Sequence, residues 1–235
     1  KKMKGHFLLC GWRQGFEKIL DHVLVSNPDI SPDMIVLVNE ATSEQMEQIR
    51  EESRFKGINF VCGDFSDEAT LKRAMIESAE RALIISDQSK KYSQLEIDSR
   101  TVLSVLTMKN LNPSVYIAAE LSDSKFQNHL NMAHCDEIIL TSNYEYSLLA
   151  TASSGMGYSN VISALISDDA DSGILVYDIP KSFVGKTYGD FKLQLECEKG
   201  ILIGLLLNTG NFTQRRRDAL REAQKNPDIN KVVEN

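Results

Sequence analysis

Arg13 and Gln14, two side chains rich in hydrogen-bond donors, follow Gly11 and Trp12 directly after the apolar run FLLC at residues 7–10. A glycine closing a strand ahead of a helix marks a turn where free N–H groups and the positive end of the helix dipole can hold an anion. In the full dinucleotide pattern G-x-G-x-x-G, the second glycine lets the backbone approach a pyrophosphate and the third lets helix pack on strand. Here those positions hold Gly11, Arg13 and Phe16, with Gly15 one place out of register. Two readings stay open. Either the turn needs Gly11 and nothing more, or Arg13 and Gln14 supply the phosphate donors that the backbone has lost. Trp12, the single tryptophan, is placed to stack on a ligand or to pack a subunit contact.

Glu40 follows the run MIVLV, 29 residues past Gly11. An acid after the second strand of such a unit hydrogen-bonds an adenosine ribose, and the loop SNPDISPD accounts for the added length. In CGDFSD (62–67), Gly63 and Asp64 either face an adenine, or Asp64 and Ser66 cap the next helix. Asp87, Glu120 and Asp123 stand at or near later strand ends. They are candidate oxygen ligands for a hard cation such as Ca²⁺, although no D-x-D-x-D-G loop accompanies them and solvated loop acids look the same in sequence. Acid–base chemistry finds little support. Tyr188 and Lys192 fit Y-x-x-x-K but fall far along the chain from the turn, and His129 and His134 are five apart, on different helix faces. His6 and His22 have no metal-ligand companions at helical spacing, and there is no G-x-S-x-G. The residues describe a binder rather than an enzyme, with a nicotinamide-dependent oxidoreductase or a ligand-free oligomerisation module as the competing readings.

Six short runs must position these groups: HFLLC, MIVLV, INFVC, ALIIS, VYIAA and EIIL. Near-continuous apolar strands of this length are covered on both faces. Between them, Phe16, Ile19, Leu20, Val23 and Leu24 follow the spacing of one buried helical stripe. Thr42 and Gln45 form a capping-box pattern. A third helix starts near Ser66–Asp67 and carries Leu71, Ala74, Met75 and Ser78 inward; a fourth runs from about Lys90 to Asn110 and stops before Pro113. A fifth pairs Phe126 with Leu130. Strict β-α alternation predicts a Rossmann-like, doubly wound six-stranded parallel sheet with its ligand site at the carboxyl ends of the strands. After Leu140 a helix over Asn143–Gly157, rich in Ala, Ser and Gly, reads as a packing or crossover element. Beyond it ILVYDIP, GKTYGDFKLQLECEKG and ILIGLLL predict a small strand–helix–strand lobe.

The net charge of −7 argues against nucleic acid as a partner, and Arg215–Arg217 beside Asp218 and Glu222 reads as a solvated helix face. With 42% hydrophobic residues and no apolar run near the roughly 18 that span a bilayer, the chain reads as soluble and cytoplasmic. Cysteines 10, 62, 135 and 197 form no C-x-x-C pair. Core packing of reduced thiols is expected of them, Cys10 and Cys62 because they end apolar runs.

FLLCGW, VLVNE, NFVCGDFSDEATLKRA, ERALIISD and AHCDEIIL together resemble the RCK domains (regulators of K⁺ conductance, also TrkA-N or KTN), across roughly residues 5–207. The C-G-W turn is closer to the ligand-gated channel branch than to regulatory subunits of potassium uptake transporters, which keep the intact glycine pattern. The resemblance implies a cytoplasmic gating-ring domain of an inner or plasma membrane potassium channel, coupling nucleotide or cation binding to pore opening. It implies dimers assembling into an octameric-type ring and a pore domain as partners. By position it implies an adenine nucleotide or NAD bound at Gly11, Trp12, Arg13, Gln14, Gly15, Glu40, Asp64, Phe65 and Asp87. A Ca²⁺ site would use Glu120, with Asp87 and Asp123 replacing the acids absent at Ser86 and Ser122. The implied organisation is an N-lobe over 1–141, crossover and dimerisation helices over 142–170, and a C-terminal lobe over 171–235. IPKSFVGKTYGDF and ILIGLLL resemble that lobe's opening half. Its closing strands, absent after Leu207, lead to the expectation of a fragment.

Overall fold

The computed structural model describes residues 3–155, 157–166, 173–174, 176, 178–197, 201–206 and 216–221. Contacts divide the chain into one compact unit of residues 1–156 with 210–235, and a second of residues 157–209.

In the first unit, strands β1 (Phe7–Cys10), β2 (Ile35–Asn39), β3 (Asn59–Cys62), β4 (Arg81–Ile84), β5 (Tyr116–Leu121) and β6 (Glu137–Leu140) form one sheet in the order 3-2-1-4-5-6. All five pairings are parallel, with Phe7 in register with Ile35 on one side and Arg81 on the other. The chain leaves β1 toward β2 and β3, then returns to β4 on the opposite side. The strand-end crevice of a doubly wound sheet opens at that reversal, between β1 and β4.

Helices cover both faces, as the unbroken apolar strands require. Helices α1 (Phe16–Ser26) and α2 (Ser43–Glu51) bury Phe16, Leu20, Val23, Met46 and Ile49 against Phe7, Leu9, Ile35 and Leu37. On the other face α3 (Glu68–Arg73), α4 (Gln94–Leu111) and α5 (Gln127–Met132) set Leu71, Val105, Met108 and Leu130 against Leu8, Cys10, Val36 and Ile84. The expected start signal at Thr42 holds, where it closes a capping box with Gln45, and Ser93 with Glu96 closes a second that the sequence reading did not name. Asn112 caps α4 one residue before Pro113.

Several local expectations are corrected. Helix α3 ends at Arg73, because Met75 adopts a left-handed conformation (φ 57°) and the chain re-enters the core through Ile76. Its N-cap is Asp67, whose carboxylate accepts from the Thr70 N–H, not Asp64 or Ser66. Helix α4 starts at Gln94 rather than Lys90. Cys62 is exposed, since β3 is an edge strand with only one neighbour. The expected helix over 143–157 is present as α6 (Thr141–Ser154), which exposes Tyr144, Tyr146 and Leu149.

Among the described residues of the second unit, α7 (Tyr158–Leu165) and α8 (Tyr188–Cys197) are the α-helices, and Phe183 lies 4.7 Å from Phe191, ring to ring. The expected strands at ILVYDIP and ILIGLLL are not formed among the described residues there. Ile201, Ile203 and Leu206 are exposed, and an isolated strand pair without a covering layer is barely stable. Among the described residues no helix is long and apolar enough to cross a membrane.

Candidate functional site

Gly11 begins the site. Its N–H donates to the Val38 carbonyl, its φ is +99°, and a Cβ there would sit 2.6 Å from the Ile85 carbonyl oxygen. Only glycine lets the chain turn that close to the extension of β4. Gly15 is the N-cap of α1 at φ 76°, with no side chain capping the helix and open space where a Cβ would point. Asn39 ties three strand ends together. The buried amide donates to the Gly11 carbonyl at 3.4 Å and accepts from Ala41 N, while its own carbonyl accepts from Gly63 N.

Around this frame the predicted acids gather on cations. Asp87, only 1% exposed, accepts through Oδ1 from the N–H groups of Trp12 (3.2 Å) and Ser89 (3.1 Å). Arg100, on α4, brings Nη2 within 3.1 Å of Asp64 Oδ1, 3.4 Å of Asp87 Oδ2 and 3.6 Å of Glu40 Oε2. Its guanidinium also lies over the rings of Tyr92 (4.2 Å) and Phe65 (5.2 Å). Glu40 further accepts from Lys90 Nζ (2.6 Å) and the Tyr92 hydroxyl (2.9 Å). Partial burial pushes its carboxyl up, but these bonds with the charges of Lys90 and Arg100 outweigh it and hold the pKa below the usual carboxylate range. The Tyr92 hydroxyl is pushed up by burial and by its bond to Glu40.

On the other side of the turn, Arg13 Nη1 donates to both Glu120 oxygens, at 2.9 and 3.1 Å, and Glu120 Oε2 accepts from Ser86 N at 2.9 Å. The corner of the crevice is thus crossed by the chain's own ion pairs. Gln14 and Gly15 face elsewhere, into an open cleft of about 610 Å³ shared with Trp12, Gln45, Gln48 and Gln88.

The three carboxylates expected on a cation do not converge. Glu120 is engaged by Arg13, Asp87 by Arg100, and Asp123 by Lys125, whose N–H and Nζ lie at 3.0 and 2.7 Å. Among the described residues no cluster of three or more His, Cys, Asp or Glu side chains could hold a metal ion. Tyr188 belongs to the second unit and donates its hydroxyl to the Leu202 carbonyl.

Sequence reasoning missed four residues: Arg100, Tyr92, Asn39 and Asp98. Asp98 is fully buried and accepts from Ser122 N and Asp123 N, fastening the loop after β5 to α4. For the two α4 residues a signal existed. Asp98 follows Ile97, and Arg100 sits three past Ile97 and four before Ser104, in register with the buried stripe of that helix. A charge there needs partners.

The profile of the family described as "Calcium-activated potassium channel slowpoke-like RCK domain" matches residues 2–119. The calcium-gated potassium channel TvoK of Thermoplasma volcanium is 28% identical over 191 residues, which cover 81% of this chain and 52% of that protein. The putative potassium channel protein YugO of Bacillus subtilis is 30% identical over 143 residues, covering 61% of this chain and 40% of its own length. The chain thus spans about half, or less, of these curated relatives. Two solved structures share the fold, each with a TM-score of 0.50. The TrkA-N domain of the inner membrane protein ybaL from Escherichia coli has 16% identity, covering 64% of this chain and 98% of that one. The human SLO3 gating ring has 17% identity, covering 75% of this chain and 31% of that one.

Proposed function

Since the chain belongs to the slowpoke-like RCK domains of calcium-activated potassium channels, we propose that it is the ligand-sensing part of a potassium channel. In this reading an adenine nucleotide or NAD occupies the strand-end crevice. Occupancy alters the contact between paired copies, and a pore domain feels the change.

The observation that carries this reading is the convergence of Glu40, Asp64, Phe65 and Asp87 from three strand ends, beside the start of an uncapped helix. The chemistry fits a nucleotide. Glu40, held ionised, accepts from ribose hydroxyls. Asp87 Oδ2 is buried without a hydrogen-bond partner, and a hydroxyl or amine donor would satisfy it. A phosphate in this reading takes its donors from Arg13, once it leaves Glu120, and from the free N–H groups at the start of α1. A Ca²⁺ ion on Asp87, Glu120 and Asp123 fits poorly, because each already pairs with a different cation. Tyr144, Tyr146 and Leu149 on α6, exposed in the single chain, are the proposed contact with a second copy. A ligand shifts such an assembly only by its differential affinity for the two arrangements.

Melting temperature, measured on the 235-residue chain with ATP, ADP, NAD and Ca²⁺ in turn, tests the ligand half. A rise with a nucleotide supports the reading; four unchanged curves remove it.

A further inference from the structure

The geometry points to Glu120 as an internal stand-in for a ligand phosphate. It holds Arg13, the one cationic side chain between Gly11 and Gly15, so a phosphate-bearing nucleotide must win Arg13 from it. This inference rests on the nucleotide reading above and adds what sets the affinity and selectivity of that site.

The two partners are unequally fixed. Glu120 is 8% exposed at its side chain and is anchored a second time by the Ser86 N–H. Arg13 is 34% exposed, sits on a turn, and uses a single terminal nitrogen, Nη1, for both bonds. The exchangeable member is therefore Arg13. Its turn leads into α1, whose N-cap carries no side-chain bond, so a phosphate arriving at the helix start lies within the sweep of that side chain.

When Arg13 departs, Glu120, 8% exposed while the pair is formed, retains among the described residues one neutral donor, the Ser86 N–H. A buried carboxylate stripped of its cation is costly, and that cost opposes every phosphate that recruits Arg13. The pair acts as a brake on the phosphate and leaves recognition of the nucleoside untouched. It also joins the β1 turn to the end of β5 across the end of β4, so phosphate binding is linked to release of that tie. By reciprocity, anything holding the tie closed weakens the phosphate-bearing ligand by the same factor.

Calorimetric titration of the full chain with ATP and with adenosine tests this in the wild type, Glu120→Gln, Arg13→Gln and the double variant. Gln keeps the shape and an acceptor for Ser86 N while removing the charge. The expected result is ATP binding roughly tenfold tighter to E120Q with adenosine unchanged, since one charge-assisted contact is freed. R13Q should weaken ATP and abolish the gain in the double variant. ATP affinity unchanged or lowered in E120Q overturns the inference, as does equal tightening of ATP and adenosine. So does a gain that survives in R13Q/E120Q, because general loosening of the crevice would then explain it. Should E120Q not fold, an ATP-bound crystal structure of the wild type decides the matter, with Arg13 either on the phosphate or still on Glu120. Failure of both probes to bind any folded chain removes the nucleotide reading along with the inference. Binding that ignores E120Q removes the inference alone.

Discussion

Arg100 and Asp87 form an ion pair without a hydrogen bond: Nη2 and Oδ2 lie 3.4 Å apart, and Oδ2 is buried with no hydrogen-bond partner. The same guanidinium meets Asp64 and Glu40 and lies over two aromatic rings. One cation from α4 thus offsets acids at the ends of β2, β3 and β4. Without it the crevice would repel an anionic ligand.

Replacing Arg100 by Met should cost about 3 kcal/mol in urea unfolding, the range for stripping a buried carboxylate of its partner. Arg100→Lys keeps the charge but loses the planar stacking on Tyr92 and Phe65, and should cost roughly 1–2 kcal/mol. Equal losses for the two variants would show that the retained charge contributes nothing there, and an Arg100→Lys variant as stable as the wild type would show that charge alone matters.

A second buried pair lies at the opposite ends of the strands. Lys109 Nζ donates to Asp136 Oδ2 at 2.6 Å and to the Val115 carbonyl at 2.7 Å, and Asp136 also accepts from Ile117 N. Both side chains are nearly fully buried. Lys109→Met strips the buried carboxylate of its Lys109 cation and should cost about 3–5 kcal/mol. Asp136→Asn, which retains an acceptor for Ile117 N, should lose less.

Gly11 and Gly15 both have positive φ but differ in surroundings. Gly11→Ala drives a Cβ to 2.6 Å from backbone oxygen, so β1 or β4 must shift and thermal unfolding should show a loss of several kcal/mol. Gly15→Ala meets open space and should pay only for the left-handed conformation, about 1 kcal/mol. Similar melting temperatures for the two variants would contradict the tight approach at Gly11.

Glu40 makes an acid-side prediction. Its folded pKa lies below the reference value of 4.5, so the native state binds its proton less readily than the unfolded chain. The resulting stability is present above pH 4.5 and is lost as pH falls through the depressed value. Asp29 shifts in the same direction through its bond to Arg81 and contributes in the neighbouring window. Glu40→Gln should flatten part of the decline in unfolding free energy below that pH, leaving the share of Asp29 and of the other depressed carboxylates, Asp67, Glu96, Asp123 and Asp190. An unaltered acid limb would show that the Lys90 and Tyr92 bonds contribute nothing.

The alternation of strands and helices, the cap at Thr42, the burial of both sheet faces and the turn at Gly11 were legible in the sequence alone, whereas the cap at Ser93 was not read from it. These features depend on period, propensity and neighbours within a few residues. The sequence also placed Glu40, Asp64, Asp87 and Glu120 at strand ends, where a parallel sheet makes neighbours of distant segments. It did not show which cation each acid meets. Arg13 finds Glu120 across 107 residues and Arg100 finds Asp64 across 36. A side chain's charge announces that it needs a partner but not which one, and the choice depends on how α4 crosses the sheet. The small lobe shows the same boundary from the other direction. Ile201, Ile203 and Leu206 have the composition of a strand, yet a strand is completed by the edge it pairs with, and tertiary structure alone supplies or withholds that edge.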